Sequence, residues 1–281
     1  MAHLRDEELA RILLDDCPHS DPTTDGLNIA DVPAVAKLTA RGDMVVCGVE
    51  EAARMFELSG AQSQPMMRSG ASVPAGTLLL EVRGRGGDLH RTYKMAQTLM
   101  EILSGIATAT RAIVDAASKA NPGCRVACTR KHMPEMKSWA LRAIHAGGAA
   151  PHRLGLSDYI LVFDEHRALL DPSVPLAEHF ARLKASAPER RLAAEASTLD
   201  GALELAQAGA EIVQVDKMPP EQVGTVAAAF AKISPRPRLA AAGGINPTNA
   251  AAYAAAGADL LVTSAPYYAP PRDVKVTITQ A

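Results

Sequence analysis

From about residue 124 onward the chain repeats one pattern: a short apolar run ending in polar or charged residues, then a stretch rich in Ala and Leu. The runs are RVACTRK, YILVFDEH, RLAAEAS, EIVQVDK, RLAAAGGIN and DLLVTSAP. Most show little polar alternation before their ends, as expected of strands buried on both faces of a parallel sheet. Helices are predicted between them over Pro134–Ala146, Leu176–Ala185, Leu199–Ala208, Pro220–Ile233 and Pro247–Ala256. Thr198, Pro219–Pro220 and Asn246–Pro247 supply start signals, and Gly209 and Gly257 supply stops. Alternating strands and helices build βα units. A closed eight-stranded barrel needs about 250 residues, and only roughly 150 remain from residue 124 to the tail. An α/β fold is therefore expected, with an incomplete parallel barrel of six or seven strands over 121–271.

The first 120 residues read differently. Residues 5–15 have helical spacing, and 32–82 hold short strand candidates broken by Gly and Pro, such as MVVCGV and TLLLEV. Gly84, Gly86 and Gly87 mark a loop. Thr92–Lys119 reads as one long helix, its stripe formed by Met95, Leu99, Ile102, Ile106, Ala109 and Ile113. The tail, DVKVTIT, alternates like a strand. A smaller N-terminal α+β domain is expected over 1–120, including the long connecting helix and rejoined by 272–281.

Composition narrows the classes. Hydrophobic residues make up 48% of the chain and charged residues 21%, an ordinary balance for a globular core. Only 4 Phe and 1 Trp are present, so aliphatic side chains must fill that core. A formal charge of -2 with no basic block argues against nucleic acid as a partner. The start, MAHLRDEELARILLDD, is too acidic for a signal peptide, and no run approaches the roughly 20 apolar residues that cross a bilayer. No membrane partner and a cytoplasmic location are expected. Cys124 and Cys128 lie on a predicted strand, where four residues span about 13 Å. They suit neither one metal nor one disulfide, and reduced thiols are expected.

The chemistry is concentrated at the ends of the strands. Arg130 and Lys131 end one run, Asp164 another, Glu195 another, Asp216 and Lys217 another, Gly243 and Gly244 another, and Ser264 the last. A single charge after a strand is usually only solvated. Carboxylates at three consecutive strand ends, opposite a cationic pair, point instead to a site, because barrel sites form at the carboxyl ends of strands. Arg and Lys neutralise pyrophosphate, Arg with bidentate geometry. Carboxylates hold Mg²⁺, which keeps waters and bridges phosphates, and they stabilise positive charge developing at an anomeric carbon. Backbone amides around GGIN suit a phosphate.

Several motifs resemble quinolinate phosphoribosyltransferase. They are Thr129-Arg130-Lys131 with Pro134, Gly147-Gly148, His152-Arg153 with Leu156 and Asp158, and Asp164 with His166. LSGIAT at 103–108, SDPTT at 20–24, Glu195, Asp216 and GGI at 243–245 extend the match, collinear over almost the whole chain. The resemblance implies that Arg130, His152 and Arg153 bind a small aromatic or pyridine acid, and that Lys131 lies between the acid and the phosphoribosyl group. It implies that Glu195 and Asp216 serve the ribose and Mg²⁺, held through substrate or water, with Asp164 beside them. It also implies that Gly243, Gly244 and Ser264 seat the 5′-phosphate of phosphoribosyl pyrophosphate. In that family a dimer partner's long helix adds a basic residue; Lys94 matches it in place of arginine, so a homodimer or higher oligomer with composite sites is implied.

Phe163 stands where the family carries a lysine, KDNH reads FDEH, an asparagine is Lys217, and a serine is Ala242. An acid site with one cation fewer follows. Together with the ending TSAPYYAPP, these departures resemble the family branch called ModD, named for molybdenum transport; no molybdate site is visible. Two other functions compete. One is a non-catalytic ligand binder or regulator tied to molybdate uptake. The other is a barrel aldolase using Lys131 or Lys217, which requires a desolvated lysine.

Overall fold

The computed structural model describes residues 5–281. In chain order the elements are α1 (Asp6–Asp16), α2 (Pro22–Gly26), β1 (Pro33–Ala40), β2 (Met44–Val45), α3 (Val49–Leu58), β3 (Gln62–Pro65), β4 (Ser72–Val73) and β5 (Leu78–Arg85). The long helix α4 (Gly86–Ala120) follows, then β6 (Arg125–Cys128), α5 (Lys137–Ala146), β7 (Ala150–Pro151), β8 (Ile160–Val162), α6 (Asp164–Arg167) and α7 (Leu176–Ser186). The chain continues through β9 (Leu192–Ala196), α8 (Leu199–Gln207), β10 (Ile212–Asp216), α9 (Pro220–Phe230) and β11 (Arg238–Ala242). It ends with α10 (Ala250–Ala255), β12 (Leu260–Thr263), a 3₁₀ turn at Ala265–Tyr268, and β13 (Val274–Gln280).

The chain divides into two compact units. The first runs to Arg111 and adds Met133–Gly148 and Pro266–Ala281; the second comprises Ala112–His132 and Ala149–Ala265. The second is the incomplete barrel: a 7-stranded sheet in the order β7-β6-β12-β11-β10-β9-β8, all neighbours parallel. Its strands read as apolar runs because both faces are covered; Leu192, Ala194, Val213, Leu239, Ala240 and Leu261 are fully buried. Thr198 caps α8 by accepting from Gly201 N at 3.1 Å, and Pro220 opens α9. The short edge strand β7 carries too little apolar pattern to be legible in the sequence.

In the first unit a 4-stranded sheet runs β13-β1-β5-β3, with β13 antiparallel to β1. The tail is a strand, as its alternation indicated, and it rejoins this unit. Asp21 caps α2, accepting from Thr23 N and Thr24 N, so the SDPTT motif is a helix start with Pro22 in its first turn. In LSGIAT, Ser104 Oγ accepts from Cys47 N and Thr108 Oγ1 from Val45 N, pinning α4 to that segment.

Three expectations change here. Residues 32–82 hold a helix as well as strands: α3 buries Val49, Ala52, Ala53 and Phe56, which recur at three- and four-residue steps. The expected glycine loop is instead the end of β5 and the first turn of α4. A Cβ on Gly86 would stand 2.3 Å from Ile29 O, so that glycine permits close backbone approach. Met133–Gly148, expected with the barrel, belongs to the first unit. The nearly buried Arg142 pairs with buried Glu51 at 2.5 Å, and Arg111 donates to Ala146 O. A charge pair between distant segments holds α5 there, and no local pattern announces it.

All four cysteines are unpaired, and burial raises Cys128 to about 12, so it remains a thiol. Among the described residues no helix is long and apolar enough to cross a membrane.

Candidate active site

The strand ends of the barrel unit surround a cleft of about 770 Å³. Its wall includes Arg130, Lys131, His152, Arg153, Phe163, Glu195, Asp216, Gly243, Gly244 and Ser264. Parallel register explains the convergence. Gln214 lies opposite Glu195, and Asp216 opposite Ala242, so successive strands deliver their last residues to one rim.

One end of the cleft is cationic and aromatic. His152 N donates to Cys128 O at 2.8 Å, continuing the sheet beyond β7 and fixing the direction of His152 and Arg153. Arg153 is only 9% exposed, and its guanidinium lies 6.0 Å from the Tyr159 ring centroid and 5.8 Å from that of Phe163. Those are cation–π distances. Burial, with Arg130 nearby, lowers the Arg153 pKa without threatening its charge. The His152 ring meets Tyr159 edge-on at 5.6 Å. Burial and the Arg153 charge lower the His152 pKa to about 4, so its imidazole is neutral at physiological pH.

That neutrality has a measurable consequence. An unperturbed histidine takes a proton near 6.5, whereas folded His152 resists until about 4. Between those values the unfolded chain binds more protons, so stability falls as the pH drops through the window. His152→Gln is expected to flatten this part of the stability curve by on the order of 2 kcal/mol, allowing for partial hydration. Denaturant unfolding of ligand-free protein at the two ends of the window measures it; an unchanged slope would mean a solvated imidazole.

The other end is acidic. Glu195 is half-buried and accepts from Gln214 Nε2 at 2.5 Å through Oε2. Burial raises its pKa, and Asp216, Asp164 and Glu165 add to the rise, while the Gln214 bond opposes it. Lys217 Nζ stands 3.7 Å from Asp216 Oδ2. Lys217 has φ 57, a left-handed backbone that is uncommon outside glycine and often found at functional sites. Its side chain is 82% exposed and Lys131 is also exposed, which removes the desolvated lysine that an aldolase needs.

A glycine turn closes the rim. Gly243 and Gly244 both have positive φ, 86 and 75. A Cβ on Gly243 would stand 2.7 Å from Asp216 Oδ1, whereas one on Gly244 would meet nothing within 4 Å. The first glycine leaves room for the Asp216 carboxylate and for Lys217, whose backbone N would also stand 2.7 Å from that Cβ, and the second opens space in the wall. The expected helix start at Pro247 lies later, at Ala250. The side chains of Asn246 and Asn249 both donate to Gly244 O at 3.0 Å and hold 244–249 as a loop.

Two expected residues stand apart. Asp164 does not line the cleft; it opens α6, is largely exposed and pairs with Arg167, which also donates to Glu195 O. The adjacent Glu165 lines the wall instead. Lys94 lies on the α4 portion of the first unit, exposed, donating to Gln97 Oε1 at 3.0 Å. Sequence reading missed Glu165 and Gln214. The signal for Gln214 was an amide in the middle of an apolar run, where a buried polar group calls for a partner.

Glu195 and Asp216 present carboxylate oxygens on adjacent strands that could ligate an ion. Among the described residues no group of three His, Cys, Asp or Glu gathers into a ready-made metal cage. Two carboxylates could hold an oxygen-seeking ion such as Mg²⁺ only with water or substrate oxygens completing its shell.

An open α/β barrel with carboxylates, cations and a glycine turn gathered at its strand ends is the architecture of a barrel phosphoribosyltransferase. Residues 21–104 match the N-terminal domain of quinolinate phosphoribosyl transferase, and residues 106–277 match its C-terminal domain. The chain belongs to the quinolinate phosphoribosyl transferase family. It is 44% identical to the ModD protein of Rhodobacter capsulatus over 248 residues, covering 88% of this chain and 94% of that one. The crystal structure of NadC from Streptococcus pyogenes superposes with a TM-score of 0.90 at 26% identity, covering 100% of both chains. The nicotinate-nucleotide pyrophosphorylase from Francisella tularensis shares the fold, with a TM-score of 0.89 at 21% identity, covering 99% of this chain and 98% of that one.

Proposed function

We propose that this protein transfers the phosphoribosyl group of phosphoribosyl pyrophosphate to a small aromatic acid with release of pyrophosphate. The observation that carries the reading is the polarity of the cleft, with a buried Arg153 between aromatic rings at one end and Glu195 and Asp216 at the other. The acceptor's carboxylate pairs with Arg153 and Arg130, and neutral His152 offers one hydrogen bond beside them. The anomeric C–O bond to pyrophosphate breaks with its electron pair leaving on pyrophosphate, and a bond forms between that carbon and the acceptor's ring nucleophile. Positive charge develops on the ribose as the leaving group departs, and Glu195 and Asp216 stabilise it from the cleft wall. Lys131 and Lys217 add positive charge for the phosphates. Gly243, Gly244 and Ser264 seat the 5′-phosphate. Mg²⁺, held through Glu195 and Asp216 with water or substrate oxygens, would neutralise pyrophosphate charge. Decarboxylation follows only where the acceptor carries a second carboxylate.

Two finer points belong to the same proposal. The active form is a homodimer or higher oligomer, in which Lys94 of a second copy completes the acid site; its exposure leaves it available for that role. Sedimentation at micromolar concentration is expected to show no active monomer. The reaction itself is tested by incubating aromatic acids with phosphoribosyl pyrophosphate and Mg²⁺ and scoring pyrophosphate. Release that depends on an acid supports the reading. No release and no binding of phosphoribosyl pyrophosphate would leave a non-catalytic binder of another ligand.

A further inference from the structure

Gln214 lies in the middle of β10 between Val213 and Val215, both fully buried, and is itself only 5% exposed. It nevertheless forms part of the cleft wall. Its register partner on β9 is Glu195, and Gln214 Nε2 donates to Glu195 Oε2 at 2.5 Å. Its other polar atom, Oε1, is buried with no hydrogen-bond partner. A half-satisfied amide in a core costs stability relative to an apolar side chain of similar length. Packing therefore does not account for a glutamine between two valines.

The bond to Glu195 does. A half-buried carboxylate on a flexible stem has several rotamers, and a charge-assisted bond to a rigid strand selects one. With Oε2 occupied, Oε1 is the oxygen left to meet a ligand. We propose that Gln214 is a positioning residue for the transfer reaction, fixing the Glu195 carboxylate so that its second oxygen is presented to the phosphoribosyl donor. This rests on the function proposed above, and it assigns the unpaired amide oxygen as the cost of a preorganised carboxylate rather than a packing defect.

The test uses the full chain and two substitutions, Gln214→Met and Gln214→Glu. The first is apolar and of similar length; the second keeps the shape but sets a second carboxyl group against Glu195, so that the two share a proton or repel and the fixed geometry is lost. Calorimetric titration with phosphoribosyl pyrophosphate and Mg²⁺ is read beside the melting temperature. The expected result is an affinity loss of about tenfold or more in both variants, the usual worth of a bond to a charged group. In Gln214→Met the melting temperature should be unchanged or higher, because the orphaned oxygen is gone. A structural role would instead lower affinity and melting temperature together, and a fall in the Met variant beyond about 5 °C overturns the proposal. If the Met variant does not fold, Gln214→Glu decides alone; if neither folds, Gln214 is structural and the proposal fails. Wild-type binding with both variants within twofold overturns this inference while leaving the proposed function standing. Absence of wild-type binding overturns both.

Discussion

Glu195→Ala and Asp216→Ala are each expected to lower pyrophosphate release by about a thousandfold or more while the protein stays folded, on the scale of removing a preorganised electrostatic group. The two carboxylates stand on adjacent strands and face one cleft. Neither serves the core. Glu195 is held above the usual carboxylate range chiefly by burial and further by three neighbouring acids, so its charge works against folding. Asp216 is half-buried and pairs with Lys217, whose side chain is 82% exposed. Removing the Asp216 charge therefore takes little from the native state, whereas Glu195→Ala also leaves Gln214 Nε2 without its partner and is expected to cost about 1–3 kcal/mol of stability while the fold is kept. In the proposed reaction, what either substitution removes is negative charge that stabilises the ribose as pyrophosphate departs. Turnover assays and thermal melts on the same preparations measure the two halves of this expectation. Near-wild-type turnover in either variant would rule out the assigned role.

The cationic and aromatic end of the cleft supports the second expectation, that quinolinate is a poor acceptor until a cation is restored. Phe163 places a ring, not a charge, 5.8 Å from the Arg153 guanidinium. Its position is fixed locally: its N–H donates to His166 Nδ1, and the two rings stack at 5.8 Å. A dicarboxylate would direct one of its charges toward that ring. Breaking a buried ion pair costs about 3–5 kcal/mol, and half-burial of Phe163 favours the lower figure, or about a hundredfold in kcat/KM. Phe163→Lys is expected to raise kcat/KM for quinolinate much more than for a monocarboxylate such as nicotinate. Lys94→Arg on the same background is expected to add to the gain, since the second cationic position has also changed. Without ligand, the new lysine beside Arg153 should cost some stability through like-charge repulsion. Comparing both acceptors in parent, single and double variants measures the effect. If the parent already uses quinolinate as efficiently as nicotinate, Phe163 does not set this preference.

Much of this site can be read from the chain because a parallel barrel couples local pattern to placement. A run such as EIVQVDK identifies a strand by its apolar residues and puts Asp216 at its carboxyl end, where such sheets collect their chemistry. The same reasoning brings Arg130, Glu195 and Gly243 to one rim from the sequence alone. Only tertiary structure decides between neighbours. Asp164 and Glu165 are both acidic and adjacent, yet the Arg167 pair turns the first away and the second lines the cleft. Gln214 looks like a blemish in an apolar run until parallel pairing sets it across from Glu195. Gly86 looks like a loop residue until the backbone of Ile29 is found against it. Helix α5 follows a barrel strand in sequence but is held in the first unit by Arg142 and Glu51. In each case the deciding contact joins segments distant in sequence or depends on a side-chain rotamer. Hydrophobic periodicity reports which face of an element is buried, and carries no information about which partner lies across from it.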